Sequence, residues 1–306
     1  MVVITNNKGF PDALVRAVKN DSYTKGRADR SVTGLLAPPR QAALKEFYGD
    51  QITEDVSERT FALYGQLVHL LLERAGEQSN NALTEERVFA KVFDWTISGQ
   101  TDTITLTGDG AGVVSDYKFV TAWKFKRDYF GEVLVPEEYE QQLNMYAYLL
   151  RENGFKVDGL KIIAIYRDWS KLEAKRDRNY PQLGAETHDV KLWSEDEAKA
   201  FIEERVRLHQ DAETSLPLCS DEERWAKPDK YALKTHANST RARKLFDSKE
   251  EAFTWAYENN LDLKPGFKKG WVLEHRQGSN TRCENYCLVS EYCDQFKTLQ
   301  EFQNQG

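Results

Sequence analysis

The sequence is sparing with sulfur and imidazole side chains, and it has no long hydrophobic run. Its 306 residues include four cysteines, two methionines and five histidines. A membrane-spanning helix needs about 20 consecutive apolar residues, and none of the apolar runs approaches that length, so we expect no membrane partner. The amino terminus, MVVITNNKGF, lacks the charged, apolar and small-residue regions of a secretory signal. Without an export signal, the expected location is the cytoplasm.

A large excess of charge of one sign is also lacking. The formal net charge is −7, and 40% of the residues are hydrophobic. This composition can build the core of one large domain or of two ordinary ones, and it does not by itself indicate a polyanionic partner. Basic side chains nevertheless cluster locally, either as solvated faces or as nucleic-acid contacts. The clusters are Lys124, Lys126 and Arg127; Lys175, Arg176 and Arg178; and Arg241, Arg243 and Lys244.

Hydrophobic periodicity indicates a mixed α/β part, which is followed by a segment of different composition. Apolar residues near a 3.6-residue period predict helices, and short apolar runs between turn signals predict strands. The predicted elements are helices at 53–76, 137–152 and 195–210, and strands within 85–119 and at 160–167. All four cysteines follow residue 215. We therefore predict one domain at 1–215 and a cysteine-rich extension at 216–306.

The stretch VVSDYKF carries a carboxylate and an ammonium two residues apart, at Asp116 and Lys118. On a strand these two side chains point to the same face. An isolated pair of this kind is commonly a salt bridge. The alternative is a metal site, in which the carboxylate holds a divalent cation and the lysine stabilises charge on a water molecule or a phosphate.

The preceding strand places a second carboxylate near this pair. Asp102 heads that strand, and the loop Gly108–Gly110 joins the two strands. A two-residue turn would put Asp102 on the face away from Asp116. A three-residue loop with one left-handed glycine shifts the register by one residue and sets the two carboxylates opposite each other. Such carboxylates repel unless a cation lies between them.

Two helical patterns supply further candidates. His69 lies among apolar residues of the first long helix, one turn after Gly65, whose missing side chain leaves room beside the ring. Alone, it is typical of a core histidine. Gln142 and Tyr146 are four residues apart and share a helix face. Alone, they form an ordinary amphipathic pattern.

Taken in order, four motifs resemble the RecB-like branch of the PD-(D/E)XK nuclease superfamily over residues 31–169. They are Gly65-x3-His69, Gly99-x2-Asp102, Asp116-x-Lys118 and Gln142-x3-Tyr146. The match is closest to single-chain members from phages and prophages, which also share an SVT-L--PPR start (Ser31 to Arg40) and the tripeptide Arg167-Asp168-Trp169.

The resemblance implies a restriction-endonuclease-like core, in which helices flank a mixed central sheet, and an exonuclease acting on DNA ends in recombination, repair or phage DNA processing. It implies that Mg²⁺ or Mn²⁺ binds His69, Asp102, Asp116 and the backbone carbonyl of Tyr117. Asp102, Asp116 and Lys118 would be catalytic. Gln142 and Tyr146 would contact substrate. The implied partners are DNA and a helicase or recombination protein, in a bacterial or phage-infected cell.

The cysteines form a separate group. Cys219 stands alone, and Cys283, Cys287 and Cys293 are spaced C-x3-C-x5-C. In a cytoplasmic chain this grouping indicates a metal site rather than disulfides. Resemblance to RecB-like nucleases favours a structural [4Fe–4S] cluster; zinc and free thiols are the alternatives. A cluster would close the segment 220–282, whose Arg241, Arg243, Lys244, Lys268 and Lys269 could form one wall of a DNA channel.

Three functions remain open from the sequence. The first is a metal-dependent DNA nuclease. The second is a non-catalytic DNA-binding module with the same fold, against which the intact Asp102, Asp116 and Lys118 argue. The third is a protein unrelated to nucleic acid that carries a structural metal cluster. It would show no DNA binding at low salt.

Overall fold

The computed structural model describes residues 2–20, 25–76, 79, 81–108, 110–125, 127–128, 130–261, 263 and 270–305. These residues form two compact units, Met1–Leu216 and Pro217–Gly306. Lys126, Lys268 and Lys269, which belong to the predicted basic clusters and channel wall, lie outside the described residues. No helix in the described ranges has both the length and the apolar character that crossing a bilayer requires.

The first unit is a mixed α/β structure with a six-stranded sheet flanked by helices, compatible with the predicted nuclease-like core. Its first half contains β1 (Val3–Thr5), α1 (Asp12–Lys19), β2 (Arg30–Ser31), α2 (Val32–Leu36), α3 (Pro39–Tyr48), β3 (Thr53–Asp55), α4 (Thr60–Gly76) and β4 (Ala82–Val92). Its second half contains β5 (Trp95–Leu106), β6 (Ala111–Val120), α5 (Glu137–Glu152), β7 (Lys156–Tyr166), α6 (Lys171–Arg176), β8 (Ala185–Val190) and α7 (Glu195–Thr214).

The sheet has the order β2-β5-β6-β7-β8, with β4 also paired to β5. Its ladders are mixed: β2–β5 and β6–β7 are parallel, and the others are antiparallel. Along one side of β5, the ladder with β2 ends at Ser98 and the ladder with β6 begins at Thr103. The sheet therefore divides just beside Asp102.

Helix α5 forms the centre of the core. It begins after Pro136 with three glutamates in its first turn, which suit the positive end of the helix dipole. It ends at Asn153 and the left-handed Gly154, with φ of 82°. Every residue from Gln142 to Leu150 is buried, and α5 packs against the sheet and α7. The sequence predicted these bounds correctly.

The predicted helix at 53–76 begins later than expected. Residues Thr53–Asp55 form a strand parallel to β1, and a 3₁₀ turn at Val56–Glu58 precedes α4. The Asp55 carboxylate explains the turn, because it accepts the N–H groups of Asn7 at 2.7 Å and Ser57 at 3.1 Å. The pairing with β1 spans about 50 residues and leaves no local signal in the sequence.

Helix α4 also exposes more apolar surface than its periodicity suggests. None of its residues is fully buried in the structure as described. Phe61, Tyr64 and Leu71, which are among the apolar residues that predicted the helix at 53–76, are 63%, 52% and 64% exposed. Burial of a hydrophobic core therefore does not account for the apolar residues of this helix.

A buried histidine gives the first unit a predicted pH dependence. His209 on α7 donates its Nε2–H to the carbonyl of Leu35 at 3.0 Å. Burial, together with the neighbouring Arg205 guanidinium, lowers the pKa of His209 to about 4. Between pH 6.5 and about pH 4, His209 is protonated in the unfolded chain but remains neutral in the folded chain. The free energy of unfolding should thus fall by about 2 kcal/mol between pH 7 and pH 5 through this residue.

Urea denaturation of the wild type and of His209→Gln at both pH values measures this effect. Glutamine can still donate to the Leu35 carbonyl, but it does not titrate. The variant is expected to lose less stability on acidification than the wild type. Parallel losses in the two proteins would show that His209 does not carry the effect.

The second unit contains a three-stranded antiparallel sheet of order β11-β10-β12 and a short β9–β13 pair. Helix α9 packs on the larger sheet around Leu233, Phe246 and Ala252. Its elements are α8 (Asp221–Arg224), β9 (Ala226–Lys227), β10 (Lys230–Lys234), β11 (Lys244–Phe246), α9 (Lys249–Glu258), β12 (Val272–Arg276), β13 (Ser279–Asn280), α10 (Thr281–Asn285) and α11 (Asp294–Gln305).

Candidate active site

The β5–β6 hairpin has the register that the odd-numbered loop predicts. Thr103 pairs with Ser115, and the amide of Thr107 donates to the carbonyl of Ala111 at 2.8 Å. Gly110 adopts the left-handed conformation, with φ of 80°. Continuing this register sets Asp102 opposite Asp116, and both residues line one groove. The prediction that the two carboxylates share a face is confirmed.

A third carboxylate, Glu85, extends this row and was not among the predicted site residues. In the β4–β5 ladder, Thr84 pairs with Thr103 and Glu86 with Thr101, so Glu85 stands opposite Asp102. Its φ of 53° lies in the left-handed region that glutamate rarely adopts. No motif in the sequence marks Glu85. The only route to it is the β4–β5 register, which a tight turn after Val92 sets.

His69 completes a group of side chains that could hold a metal ion. The ligand atoms of His69, Glu85 and Asp102 all lie within 4.8 Å of one another. The imidazole Nδ1 is 3.4 Å from Asp102 Oδ1, and the His69 side chain is 37% exposed. The hydrogen bond to Asp102 raises the pKa of His69, against the opposing effect of burial. His69 is therefore not the core histidine that was the alternative prediction.

Asp116 is the most buried acid of the site, with 3% exposure. Burial raises its pKa to about 6, the nearby Asp102 carboxylate adds to the rise, and the Lys118 ammonium opposes it. Lys118 Nζ lies 2.6 Å from Asp116 Oδ2. Apart from this ion pair, Oδ2 has no hydrogen-bond partner among the described residues. The predicted salt bridge and the predicted carboxylate site thus coexist in the same pair of residues.

Gln142 connects the lysine, the buried acid and the tyrosine. Its Oε1 accepts from Lys118 Nζ at 2.9 Å, and its Nε2 donates to Asp116 Oδ1 at 3.2 Å and to the Tyr146 hydroxyl at 2.9 Å. The spacing of Gln142 and Tyr146 therefore places both at the site, as predicted for one helix face. In this arrangement Gln142 fixes the position of Lys118 relative to Asp116.

Tyr117 lies between the two charged residues of β6. Its N–H donates to Asp102 Oδ2 at 2.7 Å, just where the β5–β6 ladder stops. Its ring lies edge-on to His69, with centroids 6.4 Å apart. The backbone N–H of Tyr117 thus holds Asp102 in place next to His69 and Glu85.

The groove around these residues has a volume of about 690 Å³. Three carboxylates and an imidazole on one side match the donor set of a hard divalent cation such as Mg²⁺ or Mn²⁺. Acids this close to one another repel, and a cation between them relieves that repulsion. The residues present therefore fit the implied metal.

The two motif glycines have different environments. A Cβ on Gly99 would lie 2.8 Å from side-chain atoms of Tyr146 and Leu149, whereas a Cβ on Gly65 would have no neighbour within 4 Å. Gly99 is thus required for close packing of α5 on β5. Gly65 is not needed to make room for His69, which corrects that expectation.

Gly99→Ala should accordingly lower thermal stability, because α5 must shift and carries Gln142 and Tyr146 with it. Gly65→Ala should instead raise the free energy of unfolding by up to about 1 kcal/mol, since alanine favours the helix. Thermal melting of the two variants measures the difference. Equal effects would contradict the close-packing role of Gly99.

The other resemblance motifs have structural roles. Ser31 Oγ accepts the N–H of Gly34 at 3.1 Å and caps α2. Asp168 accepts the N–H of Ala122 at 2.7 Å. The Arg167 guanidinium lies 4.8 Å above the centroid of the Phe61 ring. Ser31, Arg167 and Asp168 are not among the described residues that line the groove of the carboxylate row.

In the second unit, the cysteines of the C-terminal trio lie close enough to influence one another. Burial, then Cys287 and Cys293, raise the pKa of Cys283 to about 11. The backbone of Cys219 makes two hydrogen bonds to the side chain of Gln295. Its N–H donates to Gln295 Oε1 and its carbonyl accepts from Gln295 Nε2, both at 2.9 Å. Within the described ranges, no three cysteine sulfurs lie within 4.8 Å of one another.

Comparison with known proteins gives no family assignment. No family model and no curated protein matches the chain. The crystal structure of SSO0001 aligns with a TM-score of 0.43 and 20% identity, over 64% of this chain and 84% of that one. A protein named Putative exonuclease, from Eubacterium rectale, aligns with a TM-score of 0.31 and 11% identity, over 57% of this chain and 62% of that one. Neither likeness is strong enough to define the fold or the function.

Proposed function

We propose that the protein is a DNA nuclease dependent on Mg²⁺ or Mn²⁺, and that it acts as an exonuclease on DNA ends. The observation that carries the proposal is the row Glu85, Asp102 and Asp116, which lines one groove together with His69 and Lys118. A structural salt bridge needs one acid and one base. It does not explain three acids, an imidazole and a lysine converging on one cleft.

His69, Asp102, Asp116 and the carbonyl of Tyr117 would hold the metal, and Glu85 is added to this set. When bound, the metal would acidify water and neutralise charge on the scissile phosphate. Lys118 would orient the attacking water and stabilise charge that develops on the phosphate. Gln142 keeps the lysine in place, and Tyr146 shapes the site beside it.

Digestion of four DNA substrates tests this proposal: linear and circular DNA, each single- and double-stranded. Each is incubated with Mg²⁺, Mn²⁺, Ca²⁺ or EDTA. An exonuclease degrades the linear forms with Mg²⁺ or Mn²⁺ and spares the circles. Degradation of circular DNA would show that the protein is an endonuclease, because circles have no ends. Binding of DNA without degradation under any condition would favour a non-catalytic binding module.

For the second unit we propose that Cys219, Cys283, Cys287 and Cys293 hold one structural [4Fe–4S] cluster. Thiolates are the ligands of both iron–sulfur clusters and structural zinc ions, so zinc is the alternative occupant of this site. We also propose that Arg241, Arg243 and Lys244 contact the DNA backbone. Because the net charge of −7 weakens non-specific DNA binding, a helicase or recombination protein would deliver the ends.

Anaerobically purified wild type should have the brown colour of an iron–sulfur cluster. Cys287→Ser should lose this colour and make residues 217–306 accessible to protease. The reason is that a cluster ligated across this unit contributes directly to its folding. Iron and sulfide analysis with limited proteolysis measures both effects. If the wild type is colourless and contains zinc, the site is a zinc site and the iron–sulfur proposal is wrong. If the wild type contains four free thiols and no metal, both the iron–sulfur cluster and the zinc site are excluded.

A further inference from the structure

The β4–β5 ladder places two polar side chains next to the carboxylate row that have no role in the proposed mechanism. Arg87 and Gln100 are direct Cα partners in this ladder. Arg87 is two residues from Glu85, and Gln100 is two residues from Asp102, so the register sets all four side chains on one face of the sheet. Gln100 lines the groove together with the two acids, whereas Arg87 is not among the described lining residues.

These side chains form a series of hydrogen bonds that ends on Glu85. Arg87 Nη2 donates to Gln100 Oε1, and Gln100 Nε2 donates to Glu85 Oε2 at 2.5 Å. The direction of both bonds follows from their chemistry, because a guanidinium group has donors and no acceptor. Arg87 therefore engages the oxygen of the Gln100 amide, and the NH₂ group of that amide is turned toward the carboxylate.

Glu85 is a residue whose position has to be imposed. Its φ of 53° lies in a region that costs free energy for a side chain other than glycine. Its ligand atom nevertheless lies within 4.8 Å of those of His69 and Asp102. Burial, followed by the Asp102 charge, raises the pKa of Glu85, and the hydrogen bond from Gln100 opposes that rise. The bond from Gln100 thus favours an ionised carboxylate at this place.

We propose that Gln100, oriented by Arg87, is a positioning residue that holds Glu85 in the geometry that binds the metal. A carboxylate has two oxygens, so Glu85 can accept from Gln100 with one and coordinate a cation with the other. The inference rests on the proposed function, in which Glu85 is a metal ligand. It explains how the protein fixes the one ligand that no sequence motif marks.

Two substitutions of glutamine by methionine test the proposal, because methionine is also unbranched but cannot donate a hydrogen bond. Gln100→Met removes the donor to Glu85, and since Gln100 is only partly buried, the new side chain should fit. Gln210→Met is the matched control. Gln210 Nε2 donates to the carboxylate of the exposed Asp94, also at 2.5 Å, and Gln210 is not among the described residues that line the groove.

Isothermal titration with Mn²⁺ measures the metal affinity of each protein, and melting of the metal-free proteins measures stability. Gln100→Met should weaken Mn²⁺ binding about 10- to 100-fold, as for other partners of metal ligands, and Gln210→Met should leave it unchanged. Equal Mn²⁺ affinities of the wild type and Gln100→Met would overturn the proposal. A lower melting temperature in that case would show that the hydrogen bond is only structural.

Arg87→Met is a second variant that leaves Gln100 itself intact. Without the guanidinium group, the amide can turn either its oxygen or its NH₂ group toward Glu85. Mn²⁺ binding should therefore weaken, but by a smaller factor than in Gln100→Met. An unchanged affinity would overturn the role of Arg87 in orienting the amide.

A double variant shows whether Gln100 acts through Glu85. Glu85→Gln removes the charge of the ligand and keeps the length of its side chain. If Gln100 acts through Glu85, adding Gln100→Met to Glu85→Gln should weaken Mn²⁺ binding by less than about twofold more. If the two losses multiply, the two residues act independently, and the proposal is wrong.

DNA cleavage separates this proposal from the proposed function. If the wild type degrades DNA with Mn²⁺ and Gln100→Met binds Mn²⁺ as tightly as the wild type, the nuclease function stands and the positioning role fails. If the wild type binds Mn²⁺ but degrades no DNA, the nuclease function fails, and the titrations alone decide the role of Gln100. A wild type that does not bind Mn²⁺ would overturn both.

Discussion

Lys118→Ala is expected to reduce DNA cleavage by about 100- to 1,000-fold, the range found when one preorganised donor to a transition state is removed. The variant loses the ammonium that we assign to the attacking water and the phosphate. It also leaves the buried Asp116 without its counter-ion. Since Lys118 now opposes the rise in the pKa of Asp116, its removal should raise that pKa further and leave more of the carboxyl protonated.

Lys124→Ala is the matched control for this substitution. Both ammonium groups lie over the Tyr139 ring, Lys118 at 4.9 Å and Lys124 at 5.6 Å from the centroid. Lys124 pairs with Glu138 at 2.7 Å and does not line the groove. Its loss should change the cleavage rate by less than about twofold, as for other exposed ion pairs. A Lys118→Ala rate as high as that of the control would remove Lys118 from the mechanism.

Asp102→Asn should weaken Mn²⁺ binding by at least about 10- to 100-fold, because loss of even an outer partner of a metal ligand costs that much. Asp102 is central to the site: it pairs with His69 at 3.4 Å and accepts the Tyr117 N–H at 2.7 Å. Asparagine keeps an acceptor for that N–H, so the hairpin should remain folded. Isothermal titration with Mn²⁺ measures the affinity.

The same substitution should not destabilise the metal-free protein. Asp102 raises the pKa of the buried Asp116 through like charge, so replacing it by a neutral side chain relieves repulsion. Melting of the metal-free protein should therefore occur at or above the wild-type temperature. Asp189→Asn, which removes the exposed partner of Lys161, serves as a control with unchanged Mn²⁺ binding. A destabilised Asp102→Asn with unchanged Mn²⁺ affinity would make Asp102 a structural residue.

The sequence predicted those parts of the site that depend on short-range geometry. An odd-numbered loop fixed the register that sets Asp102 opposite Asp116. A spacing of four residues placed Gln142 and Tyr146 together, because one helical turn brings such residues to the same face. Both relationships involve residues joined by one turn or one helix.

Glu85 illustrates what the sequence did not provide. Its place beside Asp102 depends on the β4–β5 ladder and on a left-handed backbone at Glu85 itself. Neither feature has a glycine or a motif to mark it. The exposure of α4 could not be predicted either, because a 3.6-residue period of apolar residues such as Phe61, Tyr64 and Leu71 does not distinguish a buried helix face from an exposed one.

The most direct test of the account is release of nucleotides from end-labelled linear DNA by the wild type and by Lys118→Ala. Each protein is assayed with Mn²⁺ and with EDTA, over a series of enzyme concentrations. The account predicts release by the wild type with Mn²⁺, none with EDTA, and at least about 100-fold slower release by Lys118→Ala. Release that persists in EDTA, or that is as fast in Lys118→Ala as in the wild type, would contradict a metal-dependent site built on the row Glu85, Asp102 and Asp116.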